Sequence, residues 1–173
     1  MTNKEDNFSF LSLDISGDTI GWSSWHGDNL IKYGKKVLNK KSDWGKKLLE
    51  LSLFLKKIFI KFNPCVVVLE DIYLGRNVKT LILLARLQGI VFLEFEIFNP
   101  GALIELVSPA TWKSAVGINI HKTPYRGSSP PQKKMFIISE INKRFNLNFI
   151  KEDEDICDSI AIGLWFINKL NRG

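Results

Sequence analysis

A lone carboxylate in a strand-like run constrains this chain more than any other feature. Residues 10–25 read FLSLDISGDTIGWSSW, and Asp14 stands among Phe10, Leu11, Leu13 and Ile15, which a strand would bury. A carboxylate in such surroundings costs several kcal/mol unless it is paired, hydrogen-bonded or facing a cation at the surface of a sheet. Ser16-Gly17-Asp18 carries turn chemistry and Ile20-Gly21-Trp22 resumes the strand pattern, so the stretch predicts a hairpin. Two readings of Asp14 stand at this point: an ordinary turn-capping residue, or an acid with a task.

A chain of 173 residues, 45% of them apolar, suffices for one sizeable core and is short for two, so residues 1–173 are expected to form a single domain. The 24 Lys and Arg against 18 acids give a net charge of +6, which suits a polyanionic partner, although the same charge also serves solubility. Cys65 and Cys157 lie far apart without metal-ligand spacing and read as reduced core thiols. The opening MTNKEDN is polar and has no apolar stretch of a secretory leader. An intracellular, cytoplasmic protein that does not enter a membrane is the expectation.

Residues 30–38 predict a third strand after the His26-Gly27-Asp28-Asn29 turn, making an antiparallel meander. A helix capped by Ser42 follows, with Trp44, Leu48, Leu51, Leu55, Ile58 or Phe59, and Phe62 at steps of three and four and lysines on the solvated side, until Asn63-Pro64 ends it. Cys65-Val66-Val67-Val68-Leu69 has the continuous apolar character of a strand buried on both faces, and it runs into Glu70 and Asp71. Acids at that end of a strand stand where open α/β sheets bind ligands. Residues 77–99 predict a long helix, apolar nearly all round but interrupted by Lys79, Arg86, Gln88, Glu94 and Glu96 too often for a membrane span. Such a helix needs covering on two sides, once by its own sheet and once by something else, such as a second subunit.

A further strand at residues 103–107 leads into a short helix opened by Ser108-Pro109 and carrying Trp112 and Lys113. Residues 117–131 predict a loop whose His121, Lys122 and Arg126 suit nucleic acid, or which is an inert excursion. Helices are predicted over residues 132–145, with Lys133 and Lys134 in the first turn, and over residues 153–170. The whole is an α/β fold, a mixed five-stranded sheet with three antiparallel strands then parallel strands, flanked by helices. Asp155 and Asp158 share one face of the last helix, and two like charges there repel unless a cation reverses the sign. Glu152 to Asp155 also complement a helix N-terminus, an explanation that does not extend to Asp158 in the second turn. Carboxylates with water are the donors hard Mg²⁺ prefers, and two such ions about 4 Å apart activate a water and stabilise the leaving oxygen of a phosphodiester.

LSLDISGDTIGW around Asp14, VVVLEDIYLGRN around Glu70 and DICDSIAIGL around Asp155 and Asp158 occur in this order on the expected elements. In this respect the chain resembles the RuvC-type Holliday junction resolvases of the ribonuclease H-like superfamily. The resemblance implies a ribonuclease H-like fold and two Mg²⁺ ions per active site, with Mn²⁺ able to substitute, held by Asp14, Glu70, Asp155 and Asp158. It implies active-site lysines at Lys113 and Lys133, with Lys134 as the alternative to the latter, and an aromatic, Tyr73, against unstacked bases. Arg76, Lys122 and Arg126, with these lysines, are the expected contacts to branched DNA. It also implies a homodimer through the 77–99 helix, whose Lys79, Arg86 and Glu94 are spaced to rim such a contact. Asp71, where many relatives carry a neutral residue, would add charge beside the metals, and the 119–131 loop looks longer than the family's usual connection.

The leading expectation is a Mg²⁺-dependent endonuclease that resolves four-way DNA junctions by paired nicks. A less selective nuclease of the same fold acting on forks, flaps or hybrids and a non-catalytic DNA-binding module are the alternatives. A module that only bound phosphates would gain by replacing four carboxylates with neutral residues. A fragment of the actin-like ATPase superfamily lacks the length for a second domain, and there is no G-x-x-x-x-G-K phosphate loop.

Overall fold

The computed structural model describes residues 8–72, 77–115, 117 and 129–172. Three strands, β1 (Ser9–Ser16), β2 (Thr19–His26) and β3 (Asn29–Val37), form the expected antiparallel meander. Both hairpin turns place a glycine with positive φ, Gly17 and Gly27, first in a two-residue loop, where a side chain would be strained. Strand β4 (Val66–Glu70) lies parallel to β1, and β5 (Leu103–Val107) parallel to β4, giving the order β3-β2-β1-β4-β5.

Helices cover both faces. On one side α1 (Trp44–Phe62) and α2 (Val78–Phe98) close a core with Leu11, Leu13, Ile20, Val67 and Leu69. On the other α3 (Pro109–Ala115), α4 (Pro130–Phe145) and α5 (Glu154–Leu170) pack over Phe10, Trp25, Val66 and Val68. The alternation along β1 and β4 is the period of two that sends successive side chains to opposite faces. The mixed five-stranded sheet flanked by helices is the expected α/β architecture.

Several local expectations give way. Asp43, not Ser42, caps α1, its carboxylate accepting from the Lys46 N–H at 2.9 Å. Helix α4 begins at Pro130 rather than Gln132, because the first turn has no use for the N–H that proline lacks, and Gln132 Oε1 accepts from the Ser129 N–H at 2.7 Å. Cys157 is buried, but Cys65 is exposed at the entry to β4, so only one thiol belongs to the core. Glu94 does not rim an outer face of α2: it is buried against α1, accepting from Ser52 Oγ at 2.6 Å. Arg86 leans toward α1 as well, 5.5 Å from the Trp44 ring. Among the described residues, no helix is long and apolar enough to cross a membrane.

Candidate active site

The register of two parallel strands begins the site. Leu13 pairs with Leu69, so one residue further along each strand Asp14 and Glu70 emerge side by side on the face that α5 covers. Helix α5 then lies unusually close to that face, because glycines remove the side chains that would hold it off. A Cβ on Gly21 would stand 1.8 Å from the Asp155 carbonyl oxygen, and one on Gly163 2.3 Å from Trp25 Nε1. Beneath the helix a satisfied polar network fixes its position. Ser12 and Ser23 hydroxyls meet at 2.6 Å, Trp25 Nε1 donates to Ser23 Oγ at 2.9 Å, and Ser23 Oγ donates to the Ser159 carbonyl at 3.2 Å. Buried polar groups that are all paired specify one arrangement of a core. Here they set the height and rotation at which α5 delivers Asp155 and Asp158.

The result is a cleft of about 330 Å³ lined by all four acids together with Lys113 and Lys134. Of the two lysines opening α4, Lys134 faces the cleft and Lys133 is not among its lining, since neighbouring helix positions point about 100° apart. Of the two lysines left open by the sequence, the structure sets Lys134 beside the acids. Asp71 is exposed and does not line the cleft, so the charge expected beside the site is absent from it. Its N–H continues the sheet by donating to the Val107 carbonyl at 2.8 Å. Tyr73, Arg76, His121, Lys122 and Arg126 lie outside the described residues.

The electrostatics of the cleft are those of charges crowded without enough compensation. Asp14, only 7% exposed, has its carboxyl raised well above the ordinary range by burial, then by the charges of Asp158, Glu70 and Asp155. Burial pushes Asp158 up to about 7, with Lys113 and Lys134 pulling against Glu70 and Asp155. Glu70 is raised by burial too, opposed by a hydrogen bond from Trp112 and by Lys113. Burial lowers Lys134, but its 2.7 Å ion pair with Glu154 and the charges of Asp158 and Asp155 outweigh that and raise it. Two further donors act here that sequence reasoning missed. Ser16 Oγ donates to Asp155 Oδ1 at 2.5 Å, and Trp112 Nε1 donates to Glu70 Oε2 at 2.6 Å. Ser16 was legible only as a turn residue and Trp112 only as a residue of the short helix that carries Lys113. Glu154, which lines the cleft beside Lys134, was read with the helix-opening acids.

Oxygen-only donors, a net negative cleft and carboxyls driven toward protonation are what a pair of hard divalent cations would relieve. Among the described residues no three His, Cys, Asp or Glu side chains stand gathered as a ready-made metal-binding group. The acids line an open cleft instead, with Glu70 and Asp155 each turned to a neutral donor.

The raised carboxyls fix the sign of a pH effect in chelator. An unfolded Asp titrates near 3.9, so between there and about 7 the folded state holds the proton that the unfolded state has lost, and stability falls as pH rises. The thermal midpoint in EDTA should therefore be several degrees lower at pH 8 than at pH 5.5. Adding Mg²⁺ should recover more of it at pH 8, where ligand protons no longer compete. Equal midpoints by calorimetry at the two pH values would mean that the acids do not crowd one another in solution.

A model of the family described as crossover junction endodeoxyribonuclease RuvC matches residues 26–165, a span that holds Glu70, Asp155 and Asp158 and begins after Asp14. A crossover junction endodeoxyribonuclease RuvC of Dictyoglomus turgidum is 29% identical over 146 residues, 83% of each chain. That of Fusobacterium nucleatum is 25% identical over 142 residues, 82% of this chain and 68% of the other. In fold the chain is similar to Thermus thermophilus RuvC solved with a Holliday junction substrate, with a TM-score of 0.74 at 12% identity over 96% of this chain and 97% of that one. It is similar also to the yeast mitochondrial Holliday junction resolvase, with a TM-score of 0.60 at 14% identity over 96% of this chain and 80% of the other.

Proposed function

Since this chain belongs to the RuvC family of crossover junction endodeoxyribonucleases, we propose that it resolves four-way DNA junctions as a divalent-metal-dependent homodimer that nicks two strands symmetrically. The observation that carries the reading is the convergence of Asp14, Glu70, Asp155 and Asp158 from β1, β4 and α5 on one cleft flanked by Lys113 and Lys134. Evolution of a mere phosphate-binding surface has no reason to bury acids at this cost.

In this reading Asp14, Glu70, Asp155 and Asp158 together would hold two Mg²⁺ ions in the cleft. When bound, the ions supply an activated water and stabilise the leaving oxygen, and Mn²⁺ is expected to serve in their place. The chain's own groups do the remainder. Lys113 and Lys134 draw the scissile phosphate toward a cleft whose acids would otherwise repel it. Glu154 keeps Lys134 charged and in place. Ser16 and Trp112 orient two of the acids. Tyr73 is assigned to stacking on unpaired bases at the crossover, while Arg76, Lys122, Arg126 and Lys133 are assigned to DNA phosphates.

The homodimer has its support in α2, which leaves Val78, Ile82, Phe92, Leu93 and Ile97 exposed on the side away from the sheet. Ala85 and Gly89 are exposed between them, and small residues there would let a partner helix approach. A labelled four-way junction, fork and duplex, each incubated with the protein in Mg²⁺ and in EDTA, test the proposal. Cutting confined to the junction and to Mg²⁺ supports it. Equal cutting of the fork would make it a less selective nuclease, and cutting in EDTA would remove the metals.

A further inference from the structure

We propose that Trp112 is a positioning residue for strand cutting, its indole N–H aiming Glu70 and its ring face carrying Lys113; this deepens the metal-dependent reading above and rests on it. Trp112 is fully buried, in the core that α3 and α5 make with the sheet. Packing alone would be met there by a purely apolar ring. Instead Nε1 lies 2.6 Å from Glu70 Oε2. An indole N–H only donates, so it selects an accepting carboxylate oxygen, ties it down, and leaves the other oxygen for the cleft. Glu70 is the residue for which this matters most among the four acids, because it ends β4 on a longer side chain than the three aspartates have. On the other side of the same residue, Lys113 Nζ sits 4.8 Å from the Trp112 ring centroid, within cation–π range. One buried side chain thus touches both an acid and a base of the cleft.

The position of Trp112 is itself fixed from behind. Helix α3 starts at Pro109, directly after β5, and Ser108 Oγ accepts from the Thr111 N–H at 3.3 Å. Because β5 pairs with β4 through Glu70 and Val107, the helix that carries the indole and the strand that carries the carboxylate are tied by the sheet itself. Such a neighbour donating to a ligand tunes metal affinity without touching the metal; loss of one typically weakens binding by about 10–100-fold.

The competing explanation is that Glu70 merely satisfies an indole N–H that happens to be buried. Mn²⁺ binding, followed by loss of the free-ion electron paramagnetic resonance signal, separates the two. The comparison is wild type, Trp112→Phe, and a chain with benzothienylalanine at position 112, which keeps the ring shape and replaces the N–H by sulfur. Both altered proteins should bind Mn²⁺ roughly tenfold more weakly. Both should need correspondingly more Mn²⁺ to half-saturate junction cutting, with the rate at saturation close to that of wild type. If Trp112→Phe fails to fold, the isostere alone decides. Wild-type affinity in the isostere would overturn the positioning role while leaving the metal site intact. A wild-type protein that takes up no Mn²⁺ at millimolar concentration would overturn the metal reading itself, and the role of Trp112 with it.

Discussion

Asp14→Asn is expected to abolish junction cutting, by at least about a thousandfold or roughly 4 kcal/mol of transition-state stabilisation, while junction binding stays equal or becomes tighter. Asp14 is the most enclosed of the four acids and feels the other three, so its carboxylate is the one a shared pair of cations would depend on most. The amide keeps the shape and removes the charge. Binding improves for the same reason that catalysis is lost, because one negative charge fewer faces the phosphates. In EDTA at pH 8 the variant should also melt higher than wild type, since a buried charge pressed by Asp158, Glu70 and Asp155 has gone. Glu70→Gln, Asp155→Asn and Asp158→Asn should likewise lose cutting while junction binding stays equal or becomes tighter. Single-turnover cutting of a labelled junction, gel-shift affinity and calorimetry give the three readouts. Near-normal turnover of any one variant at saturating Mg²⁺ would take that residue out of the ligand set.

Phe92→Glu is expected to convert the protein to monomers and to uncouple the two incisions of a junction. A four-way junction presents two equivalent strands, and a two-fold pair of protomers presents two clefts related as those strands are. Phe92 is 40% exposed on the outer side of α2, near Leu93 and Ile97, so a carboxylate there would be buried without a partner in any dimer made through this helix. Leu84→Glu is no equivalent test, although both positions looked alike in the sequence: Leu84 is partly buried and lines the cleft with the acids. Circular dichroism should show Phe92→Glu folded, sedimentation should show it monomeric at micromolar concentration, and a cruciform plasmid should be nicked rather than linearised. A wild-type protein that is monomeric both free and on a junction, yet makes paired nicks, would rule the mechanism out.

Local sequence was sufficient for the element order and for singling out four acids that the structure brings to one cleft, and the reason is physical. The short apolar runs of β1 and β4 and the three-and-four spacing of α1 are properties of short windows, and a carboxylate among apolar neighbours is conspicuous wherever the chain goes. What depends on a contact between distant segments was illegible. Helix α2 is apolar on both sides, so its periodicity has no preferred direction; only the sheet decides that Leu87, Val91 and Phe95 face inward, that Phe92 faces out, and that Glu94 is claimed by Ser52. Lys133 and Lys134 are equivalent as letters, and the angle at which α4 meets α5 gives Glu154 and the cleft to the second. Trp112 and Glu70 are far apart in sequence and meet only because β5 is laid beside β4. Sequence by itself determined which groups carry the charge; the tertiary structure decided which oxygens are held, which lysine answers them and which face stays free, because burial and hydrogen bonding are made between elements and leave no periodic trace in either one.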